Sequence, residues 1–292
     1  RNEEWDLFFI SFFTLDRVQH FLWRYCDERD PTYPGQTEYK DAILKHYKTF
    51  DDIIGDYGAD LEPGDQLVVI SDHGHGMRCT KTLNLNEFLR RKGYLKTAAD
   101  RFPALSKKFW VEKAKNFVIG FLYALGKEES IFKITRFIPN RQKLKTGAHV
   151  ISRGESLASV PKFDGTGPFG GIDVHLDDTD PEYEAVRSRI LADLESLNSE
   201  HEGRLFRWYD RREVVEGTEN RYDYPDIVFE LEPEFGVYWS LFVPLISPNY
   251  FHRRLSGGHR TGGVLISNGA LPSPMETVCD VPRMVREILN GG

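Results

Sequence analysis

Residues 67–76, Leu-Val-Val-Ile-Ser-Asp-His-Gly-His-Gly, constrain the fold of this chain more than any other stretch. Leu67, Val68, Val69 and Ile70 form a short, mostly β-branched apolar run, the pattern of a strand buried on both faces. Polar residues then arrive together at its C-terminal end, where open α/β sheets bind their ligands. Asp72 and His73 offer one oxygen and one nitrogen donor to a divalent metal. Gly74 and Gly76 permit a tight turn beneath them. A lone Asp-His pair is more often an exposed turn, so its surroundings decide its meaning.

Residues 5–13, Trp-Asp-Leu-Phe-Phe-Ile-Ser-Phe-Phe, read as another apolar strand, with Thr14 capping a helix after it. Asp16 and His20 then stand i, i+4 on one helical face. That spacing can chelate one ion, as two histidines four apart do in metalloprotease helices. Tyr39, Ile43, Leu44, Tyr47, Phe50, Ile53, Ile54 and Tyr57 recur at helical spacing and predict an amphipathic helix packed on a sheet. Strand, helix, strand makes a parallel βαβ unit with a right-handed crossover. Both metal-ligating pairs then fall at strand ends of one sheet.

The 292 residues are enough for a full core, and 40% hydrophobic with 28% charged residues describe an ordinary globular chain. A net charge of −7 argues against a specific nucleic-acid partner. Cys26, Cys79 and Cys279 are scattered, form no disulfide framework and suit a reducing, cytoplasmic setting. An apolar strand so close to Arg1 suggests a chain that starts inside its domain. Within residues 96–145, twelve Lys and Arg face four Asp and Glu. Residues 96–160 therefore read as a basic helical cap or lid inserted in a single catalytic domain over 1–292, suited to anionic substrates or to peripheral contact with a membrane surface.

Further on, a short helix ends at Gly93 and a strand covers 172–176. Asp180-Pro181 opens a helix. Strands follow at 225–231 and 264–267, and a helix at 281–289 closes the chain. Between the last two strands lies Ser256-Gly257-Gly258-His259-Arg260.

Asp16 with His20, Asp72 with His73, and His259 between glycines together resemble the alkaline phosphatase superfamily, in particular its type I phosphodiesterase/nucleotide pyrophosphatase-like branch of predicted phosphohydrolases and phosphomutases. Residues 12–25 are similar to that branch's Asp-x-x-x-His segment, 69–74 to its second metal segment, and 257–264 to its terminal histidine motif. Asp280-Val281-Pro282 resembles the helix start that follows. The likeness runs in order along nearly the whole chain, the basic insert excepted.

The resemblance implies an α/β protein, an alkaline-phosphatase-like three-layer α/β/α sandwich with a mostly parallel central sheet and a helical cap. It assigns Asp16, His20 and His259 to one divalent metal ion and Asp72 and His73 to a second, with zinc as the metal and manganese as the variant. The family's Thr or Ser nucleophile and one further aspartate precede the Asp-x-x-x-His segment. Ser11 and Thr14 are too close to Asp16 for that role, which places the nucleophile upstream of Arg1 and implies little hydrolysis by this sequence alone. Arg260 and His75 are candidates for substrate contact. The implied reaction is metal-dependent hydrolysis of a small phosphate ester or nucleotide, a phosphodiester or pyrophosphate bond first. Phosphomonoesterase, phosphomutase and sulfatase share the ligand set, and a non-catalytic metal- and anion-binding module is the alternative from another class.

Overall fold

The structure is a computed structural model that describes residues 5–97, 100, 107–127, 130, 151–161, 167–214 and 224–291. The helices are α1 (Thr14–Cys26), α2 (Ala42–Ala59), α3 (Leu85–Arg91), α4 (Lys107–Ala124), α5 (Tyr183–Glu200) and α6 (Val281–Leu289). The strands are β1 (Val68–Ile70), β2 (Gly74–Met77), β3 (Lys81–Asn84), β4 (Ala158–Ser159), β5 (Phe169–Val174), β6 (Phe206–Arg211), β7 (Ile227–Leu231), β8 (Phe235–Tyr238), β9 (Ile246–Pro248), β10 (Gly257–Arg260) and β11 (Leu265–Ser267). Two compact units result, Arg1–Arg78 with Arg253–Gly292, and Cys79–His252. No helix among the described residues is long and apolar enough to cross a membrane.

The second unit holds the hydrophobic core. A four-stranded sheet in the order β4-β5-β7-β6 is antiparallel throughout, and a three-stranded sheet in the order β8-β3-β9 contains the parallel pair β3–β8. Every residue of β7 is buried, as its run of Ile-Val-Phe-Glu-Leu demands. Val186, Ile190 and Leu194 recur at helical spacing and put the apolar stripe of α5 into the same core. In the segment expected to form a basic insert, α4 packs Phe109 against Phe242, ring centroids 4.9 Å apart, and leaves Trp110, Phe117 and Phe121 exposed. Most of the rest of the insert, His149 included, lies outside the described residues.

Glu87 of α3 is 2% exposed and is held by three groups. Arg90 donates to both its oxygens at 2.8 and 2.9 Å, Arg91 donates at 2.9 Å, and the Phe242 N–H donates at 2.9 Å. Burial raises the Glu87 carboxyl, but these donors outweigh it and hold the group below its ordinary value of 4.5. A carboxyl depressed on folding stabilises above that value and loses its contribution as pH falls below it. Glu87→Gln is expected to cost about 2 kcal/mol at pH 7, because Arg90 and Arg91 lose the buried carboxylate they share, Arg90 keeping only Asp100 as an acidic partner among the described residues. Urea unfolding should show the wild-type advantage shrinking below pH 4.5; an equal difference at pH 7 and pH 3 would contradict this.

The first unit departs from expectation. Residues 7–13 pair with no strand; they run along α2, with Phe8 on Tyr57 at 5.7 Å and Phe12 on Phe50 at 5.2 Å. β1 pairs antiparallel with β11, so the parallel βαβ unit is absent from the described residues. The sheets are short and mostly antiparallel, in place of the mostly parallel central sheet expected. Val68–Ile70 are half-buried, because a two-stranded sheet cannot enclose both faces of its strands. α2 has no buried residue and packs on α1 instead of a sheet, tied by the Gln19 amide donating to the Tyr47 hydroxyl at 2.9 Å. Thr14 is the first helical residue of α1, with Phe13 in the cap position.

Candidate metal centre

Three segments of the first unit meet at one point. α1 carries Asp16 in its first turn, where a negative charge suits the helix dipole, and His20 one turn later. β2 and β10 pair antiparallel, placing His75 directly opposite His259 and Gly74 opposite Arg260. His73 immediately precedes β2, and the turn before it is fixed at Ser71, whose N–H donates to the Val264 carbonyl at 3.0 Å while its Oγ accepts from the Val264 N–H at 2.8 Å.

Close approach of α1 to β10 depends on glycine. A Cβ on Gly257 would overlap the Gln19 carbonyl oxygen and lie 2.9 Å from His75 Nε2. With no side chain there, the Gly257 carbonyl accepts a hydrogen bond from His20 Nδ1 at 2.9 Å. A carbonyl only accepts, so His20 carries its proton on Nδ1 and turns the Nε2 lone pair inward. Metal-binding histidines are oriented this way by their outer partners. His73 Nδ1 is likewise bonded, to the Gly74 carbonyl at 3.0 Å.

His20 Nε2 lies 3.0 Å from His259 Nε2, and each is 3.3 Å from Asp16 Oδ1. Donors about 2.0–2.1 Å from a tetrahedral zinc stand about 3.3 Å from one another, so these three atoms already have the spacing of zinc ligands. Asp16 Oδ1 is buried without a well-formed hydrogen bond. A second set, Asp16, His73 and His75, also has donor atoms within 4.8 Å of one another. These residues fit divalent metal ions on spacing, tautomer and donor chemistry.

The remaining candidates are placed as follows. Asp72 stands outside both sets; its carboxylate is 81% exposed and 3.6 Å from His73 Nε2. Arg260 donates to the His259 carbonyl at 3.0 Å and to the Met77 carbonyl, which turns its guanidinium onto the backbone of β2. The His75 side chain is 3% exposed, with Nδ1 3.8 Å from Asp16 Oδ1. Burial, then the neighbouring His20 ring, lowers its pKa to about 4, against the opposing pull of Asp16. Burial and the His73 and His20 rings also lower His259. Both rings are therefore neutral at pH 7, the state in which imidazole ligates metal. Gly257 escapes a reading of chemistry-bearing residues; its signal is the Gly-Gly pair before His259. His175 is structural, bonded through Nδ1 to the Ser156 carbonyl and through Nε2 to Ser159 Oγ.

No curated protein sequence matches significantly. Among solved structures, phosphonoacetate hydrolase from Sinorhizobium meliloti 1021 in complex with phosphonoacetate is similar at 15% identity and a TM-score of 0.42, over 94% of this chain and 48% of that one. The same enzyme with phosphonoformate gives 16% identity and a TM-score of 0.39, again over 94% and 48%. The chain thus spans about half the length of that protein. Residues 1–240 match the type I phosphodiesterase / nucleotide pyrophosphatase family, a span that contains Asp16, His20, Asp72 and His73, while His259 joins them through the pairing of β2 with β10. The chain belongs to the type I phosphodiesterase / nucleotide pyrophosphatase family.

Proposed function

We propose that this chain carries the metal centre of a hydrolase that cleaves a phosphodiester or pyrophosphate bond in a small phosphate ester or nucleotide, using two divalent ions, zinc or manganese. The observation that carries the proposal is the trio Asp16 Oδ1, His20 Nε2 and His259 Nε2 at 3.0–3.3 Å, in a chain of this family. Asp16, His20 and His259 would hold one ion, and Asp72 and His73 the other. When bound, such ions polarise the phosphoryl oxygens and lower the pKa of an attacking oxygen.

The chain's own residues prepare that chemistry. The Asp16 carboxylate offsets positive charge at the centre. The Gly257 carbonyl holds the His20 ring in its ligating tautomer. Arg260, next to His259 in sequence, would exchange its carbonyl partners for phosphate oxygens, a stronger charge-assisted bond. The accompanying fold proposal is the alkaline-phosphatase-like three-layer sandwich, supported by family membership. The scattered Cys26, Cys79 and Cys279, which form no disulfide framework, support a cytoplasmic setting. Exposed Trp110, Phe117 and Phe121 in a lysine-rich segment support contact with an anionic membrane surface.

Calorimetric titration with inorganic phosphate tests the reading. The zinc-loaded protein is expected to bind phosphate, and the same protein stripped with EDTA to bind it at least about tenfold more weakly, since the phosphate charge then lacks its cationic partner. Phosphate affinity indifferent to zinc would contradict the proposal.

A further inference from the structure

His75 follows the metal segment Asp72-His73 by two residues, and nothing in the proposed ligand sets uses it. Its position is unusual for a substrate contact. The side chain is 3% exposed, and neither ring nitrogen has a hydrogen-bond partner among the described residues. A buried imidazole with two unsatisfied nitrogens is destabilising unless something else binds it. The ring packs edge-on to His20 with centroids 4.6 Å apart, faces Trp23 at 5.9 Å and lies 6.3 Å from the His73 ring. Register fixes it there, because His75 is the cross-strand partner of His259. The nearest polar atom of opposite charge to Nδ1 is Asp16 Oδ1 at 3.8 Å, itself buried without a well-formed hydrogen bond.

We propose that His75 is a metal ligand, completing with His73 and the shared carboxylate of Asp16 a three-donor position for the second ion. The proposal rests on the two-ion reading above and deepens it. Asp72 is then the outer, exposed ligand of that position, and Asp16 links it to the position of His20 and His259. A carboxylate offers two oxygens, so one side chain can serve adjacent ions. An ion there gives the unpartnered His75 imidazole a partner, while Asp16 Oδ1 remains with His20 and His259.

Zinc stoichiometry and affinity, read by elemental analysis after dialysis and by competition with a chromophoric chelator, test it. The wild-type chain is expected to hold two zinc ions. His75→Phe, which preserves ring volume in the buried site, should keep the ion at His20 and His259 and bind the other about 100-fold more weakly, the loss expected for one ligand. His75→Cys, loaded with cobalt, should show a near-ultraviolet thiolate-to-cobalt band that the wild-type cobalt protein lacks; a ring that merely packs would give none. Circular dichroism confirms that each variant is folded, and the cysteine variant stands in if the phenylalanine variant is not. Two zinc ions in wild type with unchanged affinity in His75→Phe, or no new band in His75→Cys, would overturn the role of His75 alone. A wild-type chain that holds no zinc would overturn the two-ion reading and this inference together.

Discussion

Asp16→Ala is expected to abolish tight zinc binding by this chain, lowering the affinity of its strongest site by about 10²–10³-fold. The size follows from chemistry: apparent zinc-binding energies of about 10–16 kcal/mol shared over four ligands give about 2.5–4 kcal/mol for each. Asp16 supplies the one negatively charged donor common to both sets, Asp16-His20-His259 and Asp16-His73-His75. Its loss removes charge neutralisation as well as a bond. The helix is not expected to unfold, because alanine is the best helix former and the lost dipole interaction is worth under about 1 kcal/mol. Chelator competition on the folded variant measures the effect, and wild-type affinity would remove Asp16 from the centre.

Gly257→Ala should be nearly as damaging although Gly257 is not itself a ligand. The added Cβ would overlap the Gln19 carbonyl oxygen and lie 2.8 Å from the carbonyl carbon, both backbone atoms that cannot swing aside. Relief requires α1 to move away from β10, at a cost of about 1–3 kcal/mol or more. The same movement stretches the bond from His20 Nδ1 to the Gly257 carbonyl and separates Asp16 and His20 from His259. The expected result is a lower thermal midpoint together with zinc binding weakened by about 10–100-fold, as for loss of an orienting partner. A variant with both properties unchanged would show that the approach of α1 to β10 is not limited by this residue.

The candidate donors were legible because their signal is local. Asp16 and His20 announce themselves by i, i+4 spacing, and α1 realises it; His259 is marked by its glycines. Partnership across distance was not legible. Nothing in residues 74–77 says that they pair with 257–260 in the register that sets His75 against His259. Apolar runs misled for a related reason. Composition tells which residues gain by burial but not which surfaces are available to cover them. Thus Phe8 and Phe12 touch rings of α2 yet stay exposed, as do Leu265 and Ile266 of β11. Direction failed too, since β1 finds an antiparallel neighbour in β11 that no nearby connection specifies. In the second unit, where β7 and α5 enclose a full core, periodicity and structure agree.

Anomalous scattering at the zinc edge, from crystals of the wild-type chain grown with zinc, tests the central claim most directly. The account predicts a strong peak about 2.0–2.2 Å from Asp16 Oδ1, His20 Nε2 and His259 Nε2 together. Zinc bound elsewhere on the chain, with no peak among these three atoms, would contradict it.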